Sequence, residues 1–239
     1  MTIRNFFLLL MLMLPALPGE CCHHLYLVYY ATVRGETGHL GIAIDNYRIE
    51  VVEKIDRGNP GYSFDTIRTG ALTYYDLWPR QDYFDKKLIK ADKEARYYKL
   101  PLASWENEIT ISSLIHRGVP HKKGYPVDGL LEIATSPYQD RLVAAFIDSI
   151  MDSDRPFNAI TYNCADFAEQ VIEFVLKKNI RAKEFVWAGR STTPNKLFKR
   201  AAGMEGTKVI KDPGRLVNRI FLVERILKRE IFKINSKSK

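Results

Sequence analysis

An α+β domain, an antiparallel sheet packed against helices, is what the amino-acid sequence predicts, on three observations. Short runs rich in Tyr, Val, Ile and Leu, separated by turn residues, crowd the N-terminal half. Apolar residues at helical spacing are confined to the stretch after Ser136. Apolar residues make up 46% and charged residues 27%, and 239 residues suffice for one sizeable domain with an appendage. The net charge of +8 favours an anionic partner such as a membrane surface or an acidic envelope polymer.

The chain opens with Arg4, an unbroken apolar run from Phe6 to Leu14, and the breaker Pro15-Ala16-Leu17-Pro18-Gly19. That run is well short of the roughly 20 residues a membrane-spanning helix needs. Residues 1–19 are therefore expected to be a signal peptide, and the protein to be exported, periplasmic or secreted, in association with the envelope. Lipid attachment at Cys21 is not expected, because Glu20 stands where a small residue is required.

A domain over residues 20–205 follows. His23 to Val33 reads as a strand, Arg34 to Gly38 as a turn, His39 to Asp45 and Arg48 to Ile55 as two more strands. Asp45-Asn46 between them suits a tight hairpin. Gly58 to Gly61 is a loop and Leu72 to Trp78 a further strand. Arg80 to Arg96 is a charged, solvated helix or loop, and Tyr97 to Leu102 and Glu108 to Ser113 extend the sheet. Pro137 to Met151 is a helix capped by Ser136, with Leu142, Phe146 and Ile150 as its stripe. Ala165 to Lys178 is a second helix, striped by Phe167, Val171, Phe174 and Val175. A short third helix starts at Thr193-Pro194 and runs to Arg200. Residues 206–239 form a basic tail whose Leu216, Ile220, Val223 and Leu227 mark an amphipathic helix. Such a helix packs on its parent domain or lies on an anionic membrane.

The residues that bear chemistry are few. Cys164 stands just before the second helix, where the macrodipole and unpaired amides stabilise a thiolate and can later hold an oxyanion. His39, opening a strand after Gly38, is the best-fixed base. His116 and His121 lie in a loop-like stretch, and His23 and His24 adjoin the expected new N-terminus. If Asp45-Asn46 is a two-residue turn, Glu50 lies diagonally across from His39 and orients its imidazole; a longer turn substitutes Glu53. Plainer roles stand beside these: a buried small hydrophobe or a disulfide to Cys21 or Cys22 for Cys164, an exposed strand carboxylate for either Glu. No zinc spacing, phosphate-cradling loop or dinucleotide fingerprint occurs, so neither metal nor organic cofactor is expected.

Gly38-His39-Leu40-Gly41-Ile42 early, and Phe157 to Ala168 (FNAITYNCADFA) late, resemble the permuted NlpC-type papain-like superfamily, in its lecithin–retinol acyltransferase-like branch. A His on the sheet preceding a Cys on a helix marks the permuted order. The resemblance implies a permuted papain-like fold, Cys164 as nucleophile, His39 as base and a polar residue on the next strand as orienter. Branch members often use a second His there, for which this sequence offers Glu50 or Glu53, and Ala165 replaces their usual Glu after the Cys. The activity implied is cysteine amidase or peptidase chemistry through a thioester, on cell-wall peptides. The alternatives are a lipid-directed acyltransferase or phospholipase, whose tail contacts the membrane, and a non-catalytic binding module. The partner is a peptide or acyl substrate, and nucleic acid is not expected.

Overall fold

In chain order the protein forms strands β1 (His23–Tyr30), β2 (His39–Asp56), β3 (Asn59–Pro79) and β4 (Ala95–Leu100), then helix α1 (Ile111–His116) and strand β5 (Gly129–Thr135). Helices α2 (Pro137–Met151) and α3 (Cys164–Leu176), strands β6 (Lys183–Val186) and β7 (Gly189–Thr192), helix α4 (Pro194–Ala201), strand β8 (Thr207–Lys211) and a 3-10 turn at Gly214–Asn218 complete it. These elements come from a computed structural model that describes residues 23–31, 38–56, 59–80, 91–101, 108–119, 125–186 and 189–218. The expected signal peptide, Cys21, Cys22, His121 and the tail beyond residue 218 lie outside them. The architecture is α+β: a six-stranded antiparallel sheet in the order β4-β3-β2-β1-β5-β8, a separate β6–β7 hairpin, and helices packed on the sheet.

β1 explains its own composition. It pairs with β2 on one side and β5 on the other, and both of its faces are covered. Leu25, Leu27 and Tyr29 enter the cluster built by α2, α3 and α4. Tyr26, Val28 and Tyr30 enter a second cluster with Ile109, Leu114, Val119 and Val127. A strand buried on both faces reads as a continuous apolar run, as HLYLVYY does. Each such side chain contributes about 1.5–3 kcal/mol of burial.

Asp45-Asn46 is not a hairpin turn. β2 runs on through Asp56 and pairs with β3 along its length, so Arg48–Ile55 lies opposite 60–67 and not against 39–45. Instead the register shifts there, with Asp45 opposite Leu72 and Tyr47 opposite Arg68. Gly70, at φ +83°, lets the extra β3 residues bulge, while Thr73 donates to the Asn46 side chain at 2.7 Å. The reason is burial. Asp45 is 3% exposed and takes hydrogen bonds from Arg68 and from the His24 amide, each at 2.8 Å. A carboxylate held that way cannot sit at a solvated turn, and the residue types that suit a hairpin serve a bulge equally well.

Three other expectations change. Glu108 to Ser113 does not extend the sheet: Ile109 bridges to Leu72, and Thr110 with Ser113 forms a capping box that starts α1. β5, β6, β7 and β8 were not expected. The sheet also continues past the 205/206 boundary, because β8 pairs with β5, and Leu216, first of the tail's apolar stripe, packs on the core.

α2 spans the expected residues and is capped by Ser136, whose hydroxyl accepts from the Gln139 amide. Its buried stripe is Val143, Ile147 and Ile150, whereas Leu142 faces solvent and Phe146 stacks on Phe174 of α3 at 4.4 Å. Phe167 and Val171 of α3 are fully buried and hold that helix against β2 and β3.

Candidate active site

Cys164 is the first residue of α3, and its neighbours fix that start. The Asn163 Oδ1 accepts from the amides of Ala165 (2.7 Å) and Asp166 (3.3 Å), and the Asp166 Oδ2 accepts from the Asn163 amide (3.0 Å). This reciprocal box satisfies amides that would otherwise be orphaned. Asn163 Nδ2 also donates to Ser191 Oγ at 3.1 Å and to the Thr192 carbonyl at 3.2 Å, and Thr192 Oγ1 donates to Asp166 Oδ1 at 2.7 Å. The helix start is thus tied to β7. Burial raises the Asp166 carboxyl above its usual range, opposed by its bonds from Thr192 and the Asn163 amide. Asn163→Ala removes both the cap and the tie, and is expected to destabilise the protein by about 2–3 kcal/mol in urea unfolding. A loss of only a few tenths would show that neither bond set matters.

His39 opens β2 and is 2% exposed. Tyr30 of β1 stands directly opposite it on one side. On the other side Gly41 pairs with Asp76 of β3, and the register continued by two residues brings Trp78 opposite His39. The His39 and Trp78 rings stack at 4.2 Å with 26° between their planes. Asp76 lies diagonally across, fully buried, with Oδ2 at 2.9 Å from His39 Nε2.

The same Oδ2 accepts from Tyr74 Oη at 3.0 Å and from Trp78 Nε1 at 2.9 Å. Trp Nε1 and Tyr Oη both donate to this oxygen, so with Asp76 ionised the His39 contact is an Nε2–H donation. That choice of tautomer leaves the lone pair on Nδ1, the nitrogen able to take a proton.

Tyr74 anchors the acid of the pair. Burial foremost, then the Asp76 charge, hold its hydroxyl well above the usual range, so it stays a donor; a negative charge on Cys164 would act in the same direction. Cys164 therefore lies within electrostatic range of the hydroxyl that anchors Asp76. It keeps 8% of its surface exposed and forms no disulfide among the described residues.

Of the residues singled out from the sequence, His39 sits in this cluster and Cys164 at the start of α3, the helix that packs on β2 and β3. Glu50 is not their third member. It lies far along β2, opposite Asp65, and pairs with the exposed Arg48; Glu53 is exposed farther out still. His116 is exposed at the end of α1. His23 and His24 begin β1 at its opposite end, His23 against Asp140 at 3.2 Å and His24 beside Asp45. Asp76, Tyr74 and Trp78 were missed as site residues. The available signal was a single charged residue, Asp76, within the largely apolar and aromatic strand Leu72 to Trp78.

No family model matches the chain, and neither a curated protein nor a solved structure does.

Proposed function

We propose that the chain is a cysteine-dependent amidase or peptidase with a permuted papain-like fold. Cys164 is the nucleophile, His39 the base, and Asp76 the group that orients the base. The observation that carries this assignment is the buried His39–Asp76 pair at 2.9 Å, whose carboxylate also accepts from Tyr74 and Trp78. The chain order, base on the sheet before nucleophile on a helix, supports the permuted form of the fold.

In the reaction His39 Nδ1 takes the Cys164 proton, and Asp76 stabilises the resulting imidazolium through the Nε2–H. The thiolate attacks the substrate carbonyl carbon, forming a C–S bond and moving the carbonyl electron pair onto oxygen. The Cys164 backbone N–H, in the first turn of α3, is the donor assigned to that oxyanion. Collapse of the intermediate breaks the C–N bond, and His39 Nδ1–H protonates the departing amine. His39 then draws a proton from water, whose oxygen attacks the thioester and releases the acid with regeneration of the thiol. The apolar Phe6–Leu14 run and the basic charge favour an exported enzyme acting on peptides of an anionic envelope.

Iodoacetamide titration of the full chain across pH tests the dyad. Labelling of Cys164 is expected to persist well below the free-thiol value of about 8.5, and to retreat toward it in His39→Ala. A Cys164 that stays unlabelled in the folded protein, or a titration that ignores His39, would refute the assignment.

A further inference from the structure

We propose that Trp78 is a positioning residue for this chemistry, acting on both members of the His39–Asp76 pair at once; the inference rests on the Cys164–His39 assignment above. Trp78 follows Asp76 by two residues on β3, so the two side chains share a sheet face. Its indole ring lies 4.2 Å from the His39 ring, and its Nε1 donates to Asp76 Oδ2 at 2.9 Å. The stack sets the plane of the imidazole, and the hydrogen bond holds the carboxylate where the imidazole must meet it. Neither contact alone fixes the pair: a stack leaves the ring free to slide, and a carboxylate bond leaves it free to tilt.

The two contacts also act in the same direction when the charge changes. Once His39 has taken the Cys164 proton it is a cation lying against an aromatic face, which is attractive. The carboxylate that balances that cation is kept in line by the indole N–H. Trp78 is half-buried, while His39 behind it is 2% exposed, so the indole also keeps water from the imidazole face. A tryptophan kept for packing alone would need no N–H aimed at Asp76, and Phe would replace it without consequence for the pair.

The rate of Cys164 alkylation by iodoacetamide, followed from about pH 5 to 9.5 on the full chain, separates these roles. Trp78→Ala is expected to label about tenfold more slowly than wild type near pH 6, and Trp78→Phe, which keeps a ring but not the donor, about threefold more slowly. Near pH 9.5, where any thiol is largely ionised, all variants should converge, showing that access and fold are intact. A wild-type profile in Trp78→Phe overturns the proposal, and this variant decides alone if circular dichroism shows Trp78→Ala unfolded. If His39→Ala shifts the profile while both Trp78 variants do not, the dyad stands and only the role of Trp78 falls. If His39→Ala also keeps the wild-type profile, the dyad fails and the role of Trp78 fails with it.

Discussion

Asp76→Asn is expected to slow Cys164 alkylation near pH 6 by about a hundredfold while leaving the fold in place. An amide is nearly isosteric with the carboxylate and can still accept from His39 Nε2. It carries no charge, however, and charge is what favours imidazolium over imidazole. An opposite charge in hydrogen-bond contact commonly moves such an equilibrium by 1–3 pH units, and at Asp76 nothing of that attraction is lost to solvent, because the carboxylate is fully buried. The sign follows: without the anion the imidazolium–thiolate pair is disfavoured, so the labelling curve moves to higher pH and slow labelling appears at the acid end. Asp76→Ala should add a stability loss, since Tyr74 Oη, Trp78 Nε1 and His39 Nε2 lose their common acceptor. Orphaned donors cost about 1–3 kcal/mol each where water cannot reach them. Urea unfolding should therefore rank wild type above Asn and Asn above Ala, whereas alkylation should place both variants together, far below wild type. An Asn variant that alkylates like wild type would remove Asp76 from the mechanism.

The sequence singles out Cys164 and His39 but not Asp76, and the difference has a physical cause. The first two are announced locally: Cys164 by its position at a helix start, His39 by the turn-type residues Arg34 to Gly38 before an apolar run. The orienting acid is set by pairing, and pairing depends on where the chain turns. With the turn placed at Asp45-Asn46, Glu50 comes beside His39. With β2 and β3 running on to residues 56 and 59, Asp76 does. Choosing between them requires knowing that Asp45 is buried against Arg68 and the His24 amide, contacts made across three strands. Helix α2 was legible to its ends because Ser136, Pro137 and Gln139 are local signals. Its buried face was less legible, since Val143 and Leu142 are equally apolar and only the position of the sheet selects between them. β5 and β8 were missed for a related reason. β5 is GLLEIAT, too short a run to tell from a buried helical segment, and β8, TKVIK, carries two lysines at an edge where one partner suffices.

Gly41→Ala should destabilise the protein by about 2–4 kcal/mol, although Ala ordinarily outperforms Gly within a strand. A Cβ at position 41 would meet Tyr74 Oη at 2.2 Å, Cζ at 2.4 Å and Cε2 at 2.5 Å. Tyr74 has no room to withdraw, being fully buried, and its hydroxyl is committed to Asp76. The glycine two residues after His39 is thus where the tyrosine ring crosses the strand to reach the carboxylate. Its effect should extend to chemistry: displacing Tyr74 loosens Asp76, so the alkylation curve of Gly41→Ala should move to higher pH along with the loss of stability. A double-mutant cycle identifies the contact. Gly41→Ala with Tyr74→Phe should stay destabilised, because the ring carbons remain after the hydroxyl is gone. Gly41→Ala with Tyr74→Leu should be more stable than the sum of the single losses predicts, by about 1 kcal/mol or more, because the space the methyl needs has been opened. If the two losses simply add, Tyr74 does not cross at Gly41, and its hold on Asp76 does not depend on the absence of a side chain there.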